Sequence, residues 1–193
     1  MDVAKFASFD ESTAEDWALI DAKFQVYAKG HAERVLAALE RLGGGDLGYR
    51  VDRLEHSLQT ATRAFRAGAD EETVVCALLH DIGDDLAPHG HGALAASIVE
   101  PYVSRENAWL VRHHEVFQGY HYQHFFGSDR YAREKYRGHA AFERTIRFCD
   151  EWDQTSFDPD YDSMPLTAFA PMVGRILART PWDAAHRQER KIA

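Results

Sequence analysis

The sequence predicts an all-α fold. Apolar residues recur mostly at helical spacing along the chain. Glycines and capping residues punctuate that pattern at ordinary helix lengths, and no segment reads convincingly as a strand. Neither an internal repeat nor a low-complexity tract interrupts it.

Ser12 or Thr13 is placed to cap a first helix, with Glu15 and Asp16 in its first turn. That helix, or pair of helices, is expected to run to about Leu42, where Gly43, Gly44 and Gly45 stop it. Residues 51–67 read as the next helix, closed by Gly68. Asp70 starts another, with Glu71 and Glu72 at its positive end. It carries the run Val74, Val75, Cys76, Ala77, Leu78, Leu79 and is expected to end at Gly83. A helix follows from about His91 to Tyr102, and Ser104 caps one expected to end near Gly119. Residues 120–138 are rich in aromatics and irregular, and read as an elaborated loop with a helical piece around Ala132. Residues 139–153 are helical again. The stretch SFDPDYDSMP is a loop, and residues 166–178 form the last helix. The expected organisation is an N-terminal helical extension over 1–45 packed on a core domain over 46–180, with a tail at 181–193.

A chain of 193 residues suits one domain, and 45% hydrophobic residues suffice for a substantial core. The formal charge of −9 makes nucleic acid and anionic membranes poor partners. The opening stretch MDVAKFASFDESTAEDW lacks the apolar segment of a signal peptide. No apolar run reaches the roughly eighteen residues of a membrane span. A cytoplasmic protein is the expectation, with Cys76 and Cys149 as small buried hydrophobes. The acidic loop with Asp158, Asp160 and Asp162 lacks the glycine and terminal glutamate of an EF-hand and reads as a solvated turn.

Eleven histidines are present, and nine fall between His56 and His139. Metal ligation is the leading explanation of that clustering. His80 and Asp81 end an apolar helix, where an ionisable pair is expensive to bury unless paired or metal-bound. Adjacent helical residues diverge by roughly 100°, so the doublet can face two metals. His56 lies mid-helix beside Leu54 and Leu58, His91 opens a helix, and His113 and His114 follow Trp-Leu-Val-Arg. Asp150 lies in Ile-Arg-Phe-Cys-Asp-Glu-Trp-Asp, a largely apolar helix. Any one of these would more often be a surface or hydrogen-bonded group. Together, on separate helices and against apolar neighbours, they point to a metal centre.

The order His…His-Asp…His…His…Asp resembles the HD-domain superfamily of helical metalloenzymes, over roughly residues 49–178. The resemblance implies a single HD-domain helical bundle. Within it, Leu-Glu-His-Ser-Leu-Gln at 54–59 is similar to a string in 2-amino-1-hydroxyethylphosphonate dioxygenase. Arg112-His113-His114 with the following Val-Phe is similar to one in myo-inositol oxygenase. Both belong to a diiron oxygenase branch. The resemblance selects His114 over His113, His91 over His89 and Asp150 over Asp153. It implies two iron ions, with manganese or another divalent metal as a substitute. Asp81 would be the bridge and the catalytic residue. His56, His80 and Asp150 would hold one ion, and His91 and His114 the other.

The chain departs from both relatives where they contact substrate. Asp84 stands in place of a lysine, Tyr49 in place of a glutamate, and Gln118 in place of another lysine. A different small molecule is therefore expected as substrate, together with O₂. Gln118, Tyr49, Tyr120, His121, Arg130 and Lys135 are the candidate substrate-binding residues. Three functions compete: a diiron oxygenase cleaving a C–C or C–P bond of a small hydroxylated molecule, an HD-type phosphohydrolase acting on a nucleotide or phosphate ester, and a non-catalytic domain with a structural metal. Asp84 and Asp85 beside the doublet would repel phosphate, which favours the first. The sequence leaves oligomeric state open.

Overall fold

A computed structural model describes residues 2–181. The expected tail at 181–193 lies almost wholly outside the described residues. Among those described, the chain is all-helical, without a strand. The α-helices are α1 (Ala14–Lys29), α2 (His31–Glu40), α3 (Arg53–Arg66), α4 (Glu71–Leu79), α5 (His91–Val99), α6 (Arg105–Tyr122), α7 (Phe142–Arg147) and α8 (Leu166–Leu177).

Local chemistry sets the boundaries. Thr13 and Asp16 form a reciprocal capping box at the start of α1. The side chains of Asp52, Asp70 and Ser104 accept from backbone N–H groups three residues on, which opens α3, α4 and α6. Gly68, at φ +76°, lets the chain leave α3 through a left-handed turn.

The helix α4 is the centre of the molecule. Its residues from Thr73 to Leu79 are all buried, and it packs on α3, α6 and α8. Such a helix has no polar face, as expected of an element covered all round. Leu78 and Leu79 meet a core that includes Leu39, Leu110, Phe117, Phe148, Phe169 and Ile176. The helix α2 contributes Val35 and Leu39 and packs on α8, whereas α1 buries none of its residues.

Two boundaries differ from expectation. The helix α4 stops at Leu79 and His80 is its C-cap, so the chain turns through residues 80–85 before Gly83 can end a helix. The helix α6 continues past Gly119 to Tyr122. Gly119 lies within a helix whose neighbours carry the packing, and a Cβ there would come within 2.8 Å of Gln123 Cγ. The irregular segment after it holds two short 3₁₀ turns, Gln123–Phe126 and Ala132–Tyr136.

The helix α7 runs directly into a π-helical turn, Phe148–Asp153. The Gln154 amide donates to the Cys149 carbonyl at 3.0 Å, five residues back. Such turns occur frequently at functional sites, and this one lies against α3 and α6. No helix among the described residues is long and apolar enough to cross a membrane. Both cysteines are buried and unbridged.

Candidate metal centre

Four helices and the π turn bring their polar side chains to one point. From α3 comes His56, from the end of α4 His80 and Asp81, from the start of α5 His91, from α6 His114, and from the π turn Asp153. All except His91 are buried to 3% exposure or less.

The Asp81 carboxylate stands between two groups of donors. Its Oδ2 lies 3.0 Å from His80 Nε2 and 3.2 Å from His56 Nε2. Asp153 Oδ1 closes that group, 3.3 Å from His56 Nε2 and 3.7 Å from His80 Nε2. The other oxygen, Oδ1, lies 3.1 Å from both His91 Nε2 and His114 Nε2. The two imidazole nitrogens in each group are 3.2 Å apart. Metal bonds of about 2.1 Å place neighbouring ligand atoms about 3.0–3.4 Å apart in octahedral or tetrahedral geometry. The spacing therefore fits one ion in each group, with Asp81 shared.

The outer nitrogens of the rings agree with this. His56 Nδ1 faces the Ser156 carbonyl at 2.9 Å, His80 Nδ1 the Ala77 carbonyl at 2.8 Å, and His114 Nδ1 the Val111 carbonyl at 2.7 Å. A carbonyl only accepts, so each Nδ1 is the donor, and Nε2 is left to present its lone pair inward. His91 Nδ1 lies 2.9 Å from Asp84 Oδ1. Asp153 Oδ2 is buried with no hydrogen-bond partner. An orphaned carboxylate oxygen beside two imidazoles is the donor set a divalent cation takes.

Without a cation the cluster is held by protons. Burial lowers the affinity of His80 for a proton, but the charge of Asp81 and its bonds to Asp153 and Asp81 outweigh this and raise its pKa to about 10. His91 is likewise raised to about 10, burial being overcome by Asp81 and Asp84. Burial would raise the Asp81 carboxyl, yet His80 and Arg53 hold it well below the usual carboxylate range. Arg53, one turn before His56 on α3, contacts Asp81 Oδ2 directly and reaches Asp84 Oδ2 with its Nε at 2.6 Å.

Two glycines permit this geometry. A Cβ on Gly83 would lie 2.5 Å from the His91 carbonyl oxygen and 2.8 Å from its Cα. One on Gly92 would lie 2.9 Å from both the Val111 carbonyl and Glu115 Oε1. The start of α5 therefore docks onto the turn after Asp81. Gly90 offers it no side-chain cap, and Glu115 Oε1 instead accepts from the Gly92 amide at 2.7 Å.

One residue expected at the centre lies elsewhere in the structure. Asp150, expected at the centre, is turned away from it, and Asp153 stands there. Asp150 Oδ1 contacts His121 Nε2 at 3.0 Å and Arg133 Nη1 at 3.7 Å. An α-turn sets residues three apart on nearly one face, and the wider π turn separates them. The signal for Asp153 lay in the apolar stripe Phe148, Cys149, Trp152, whose spacing carries on to it.

The substrate candidates divide. Gln118 touches the centre, its Nε2 donating to Asp153 Oδ1 at 3.3 Å. Tyr49 is exposed but stacks on Phe157, which stacks on His56. Tyr120, His121 and Arg130 gather around Asp150 and the buried Arg133, a residue the sequence reading missed. Lys135 is exposed over Tyr136, beside the Trp109–His113 stack. The acidic loop is a solvated turn tied to α3, through Gln59 to the Asp158 backbone and Arg66 to Asp162.

The HD domain pattern matches residues 53–154, the span that contains every group of the centre. The chain belongs to the HD-domain family, whose members are generally metal-dependent enzymes. No curated protein matches it. The groups His56/His80/Asp81, His80/His114/Asp153 and Asp81/His91/His114 are each able to hold a metal ion.

Proposed function

We propose that the chain is a dinuclear-iron oxygenase that uses O₂ to cleave a C–C or C–P bond of a small hydroxylated substrate. The observation that carries this reading is the inequality of the two half-sites joined by Asp81. One has four protein donors, His56, His80, Asp81 and Asp153, and is sealed. The other has three, Asp81, His91 and His114, and His91 is 17% exposed. Substrate then has access to the half-site with free positions, and the sealed one holds its ion in place.

The donor set is imidazole and carboxylate, which suits iron. An iron pair would supply the redox chemistry toward O₂. The chain's own residues supply the rest. His80, His56 and His114 are oriented by backbone carbonyls, Gln118 fixes Asp153, and Arg53 balances Asp81 and Asp84. Arg53 already serves two carboxylates, and Asp84 and Glu115 border the accessible half-site. A phosphate dianion would meet carboxylates there, which favours oxygenase over phosphohydrolase.

The test is metal analysis and spectroscopy of aerobically purified protein, followed by O₂ uptake with ferrous iron, ascorbate and a panel of small hydroxylated compounds. The expected result is two irons per chain, magnetically coupled, and substrate-dependent O₂ consumption. Turnover of nucleotides or phosphate esters with manganese, and no O₂ uptake with any compound, would replace this reading by a hydrolase.

A further inference from the structure

Asp81 divides the centre into halves of similar make-up. On the sealed side stand two imidazoles, His56 and His80, and one carboxylate that serves this side alone, Asp153. On the accessible side stand two imidazoles, His91 and His114, with the Glu115 carboxylate beside them. Glu115 Oε1 lies 3.7 Å from His91 Nε2. That is the distance at which Asp153 Oδ1 stands from His80 Nε2.

Glu115 follows His114 on α6, and adjacent helical residues diverge by roughly 100°. Its long arm nevertheless brings the carboxylate to the start of α5, where Oε1 accepts from the Gly92 amide at 2.7 Å. Gly92 leaves room for this. A Cβ there would come within 2.9 Å of Glu115 Oε1 and 3.2 Å of His114 Cε1, so the carboxylate and the imidazole close on the same point. His91 Nε2 thus faces two carboxylate oxygens, Asp81 Oδ1 at 3.1 Å and Glu115 Oε1 at 3.7 Å, and His114 Nε2 lies 3.2 Å away. Acceptors gathered in this way call for a cation among them. Asp81 is shared between the halves. Without Glu115, a divalent ion on this side would have two neutral imidazoles and no carboxylate of its own, and most of its charge would stay uncompensated.

We infer that Glu115 is a further metal ligand, the carboxylate that belongs to the accessible ion alone. The Gly92 amide holds Oε1 beside the two imidazoles, and a carboxylate has lone pairs to spare for an ion after accepting one hydrogen bond. Glu115 is the outlying donor of its half-site. The other three, Asp81 Oδ1 and the Nε2 atoms of His91 and His114, converge within 3.2 Å of one another, and Glu115 closes on them from the open side. Its side chain is 32% exposed, against 4% for Asp153. An octahedral ion with this donor added still keeps positions for substrate. The ligation does not depend on which reaction the centre runs.

Calorimetric titration of the chelator-stripped full chain with Mn²⁺ tests this in wild type, Glu115→Gln and Asp85→Asn. Glutamine keeps an oxygen for the Gly92 amide and loses the charged donor, so the docking of α5 is preserved and the ligation is not. Asp85 is exposed beside Asp84 and reports the loss of one nearby negative charge by itself. The expected result is two ions in wild type, with affinity for the weaker one falling about tenfold to hundredfold in Glu115→Gln, no less than the loss of an outer partner of a ligand costs. The tighter ion and the metal-free melting temperature stay at wild-type values, and Asp85→Asn binds as wild type does. Cobalt-loaded protein should show an altered visible spectrum in Glu115→Gln and an unaltered one in Asp85→Asn. Weaker-ion affinity unchanged in Glu115→Gln, an equal loss in Asp85→Asn, or an unchanged cobalt spectrum in Glu115→Gln would overturn the ligand. None of these readouts involves O₂, so a failed oxygenase assay removes only the proposed reaction.

Discussion

Asp84 Oδ1 lies 2.9 Å from His91 Nδ1, on the side of the imidazole away from the Nε2 that faces Asp81. This contact orients the only cluster histidine that lacks a backbone carbonyl partner among those described. Replacing Asp84 by Asn should weaken the metal held by His91 and His114 about tenfold to a hundredfold. The ion held by His56, His80 and Asp153 should stay. Metal-to-protein ratios at limiting metal would fall from two toward one, and loss of both ions together would contradict the assignment.

The two aspartates of the π turn make a paired comparison. Asp153→Asn removes a carboxylate buried against His56 and His80 and should abolish retention of the first ion through gel filtration. Asp150→Asn should leave metal content at the wild-type value, because its carboxylate faces His121 and Arg133. The reverse pattern would return Asp150 to the centre.

Gly83 tests the docking of α5. A methyl group there meets the His91 backbone, which cannot yield as a flexible side chain can. Gly83→Ala should destabilise the chain by about 1–3 kcal/mol, the usual cost of overpacking. It should also lower the occupancy of the His91–His114 site. Thermal melts together with metal analysis would separate these effects from a general loss of folding.

The pH dependence follows from the raised histidines. His80 and His91 rise in the folded, metal-free chain from 6.5 to about 10. Their stabilising contribution is complete below 6.5 and is lost as pH climbs through about 10. The metal-free protein should therefore melt at progressively lower temperature over that window. Protons and metal compete for the same Nε2 atoms, so metal affinity should rise with pH. A metal dissociation constant that is flat between pH 6 and 9 would refute this competition.

Much of the fold and five of the centre's six groups were legible in the sequence. Caps such as Asp70 and Ser104 act locally, through bonds to backbone three residues away, so their effect can be read without tertiary information. The doublet His80-Asp81 stands out because it directly follows the apolar run Val74 to Leu79. Asp150 rests on the family resemblance alone, whereas the buried stripe Phe148, Cys149, Trp152 carries on to Asp153, and the π turn sets the two carboxylates apart. Arg133 was missed for another reason. It lies in an irregular segment of exposed residues, and only the packing of Ala132–Tyr136 against α6 encloses its guanidinium. Arg53 lies in the first turn of α3, and only the tertiary fold brings Asp81 and Asp84, from the turn after α4, against it.

The π turn has a consequence for how this chain tolerates change. It works like a reading frame for acidic side chains: the number of residues in one turn decides which carboxylate enters the histidine cluster and which faces arginine. Substituting a residue there alters one contact. Deleting one would rotate everything before it and mispair both acids at once. Residues 148–153 should thus accept changes of side chain more readily than changes of length.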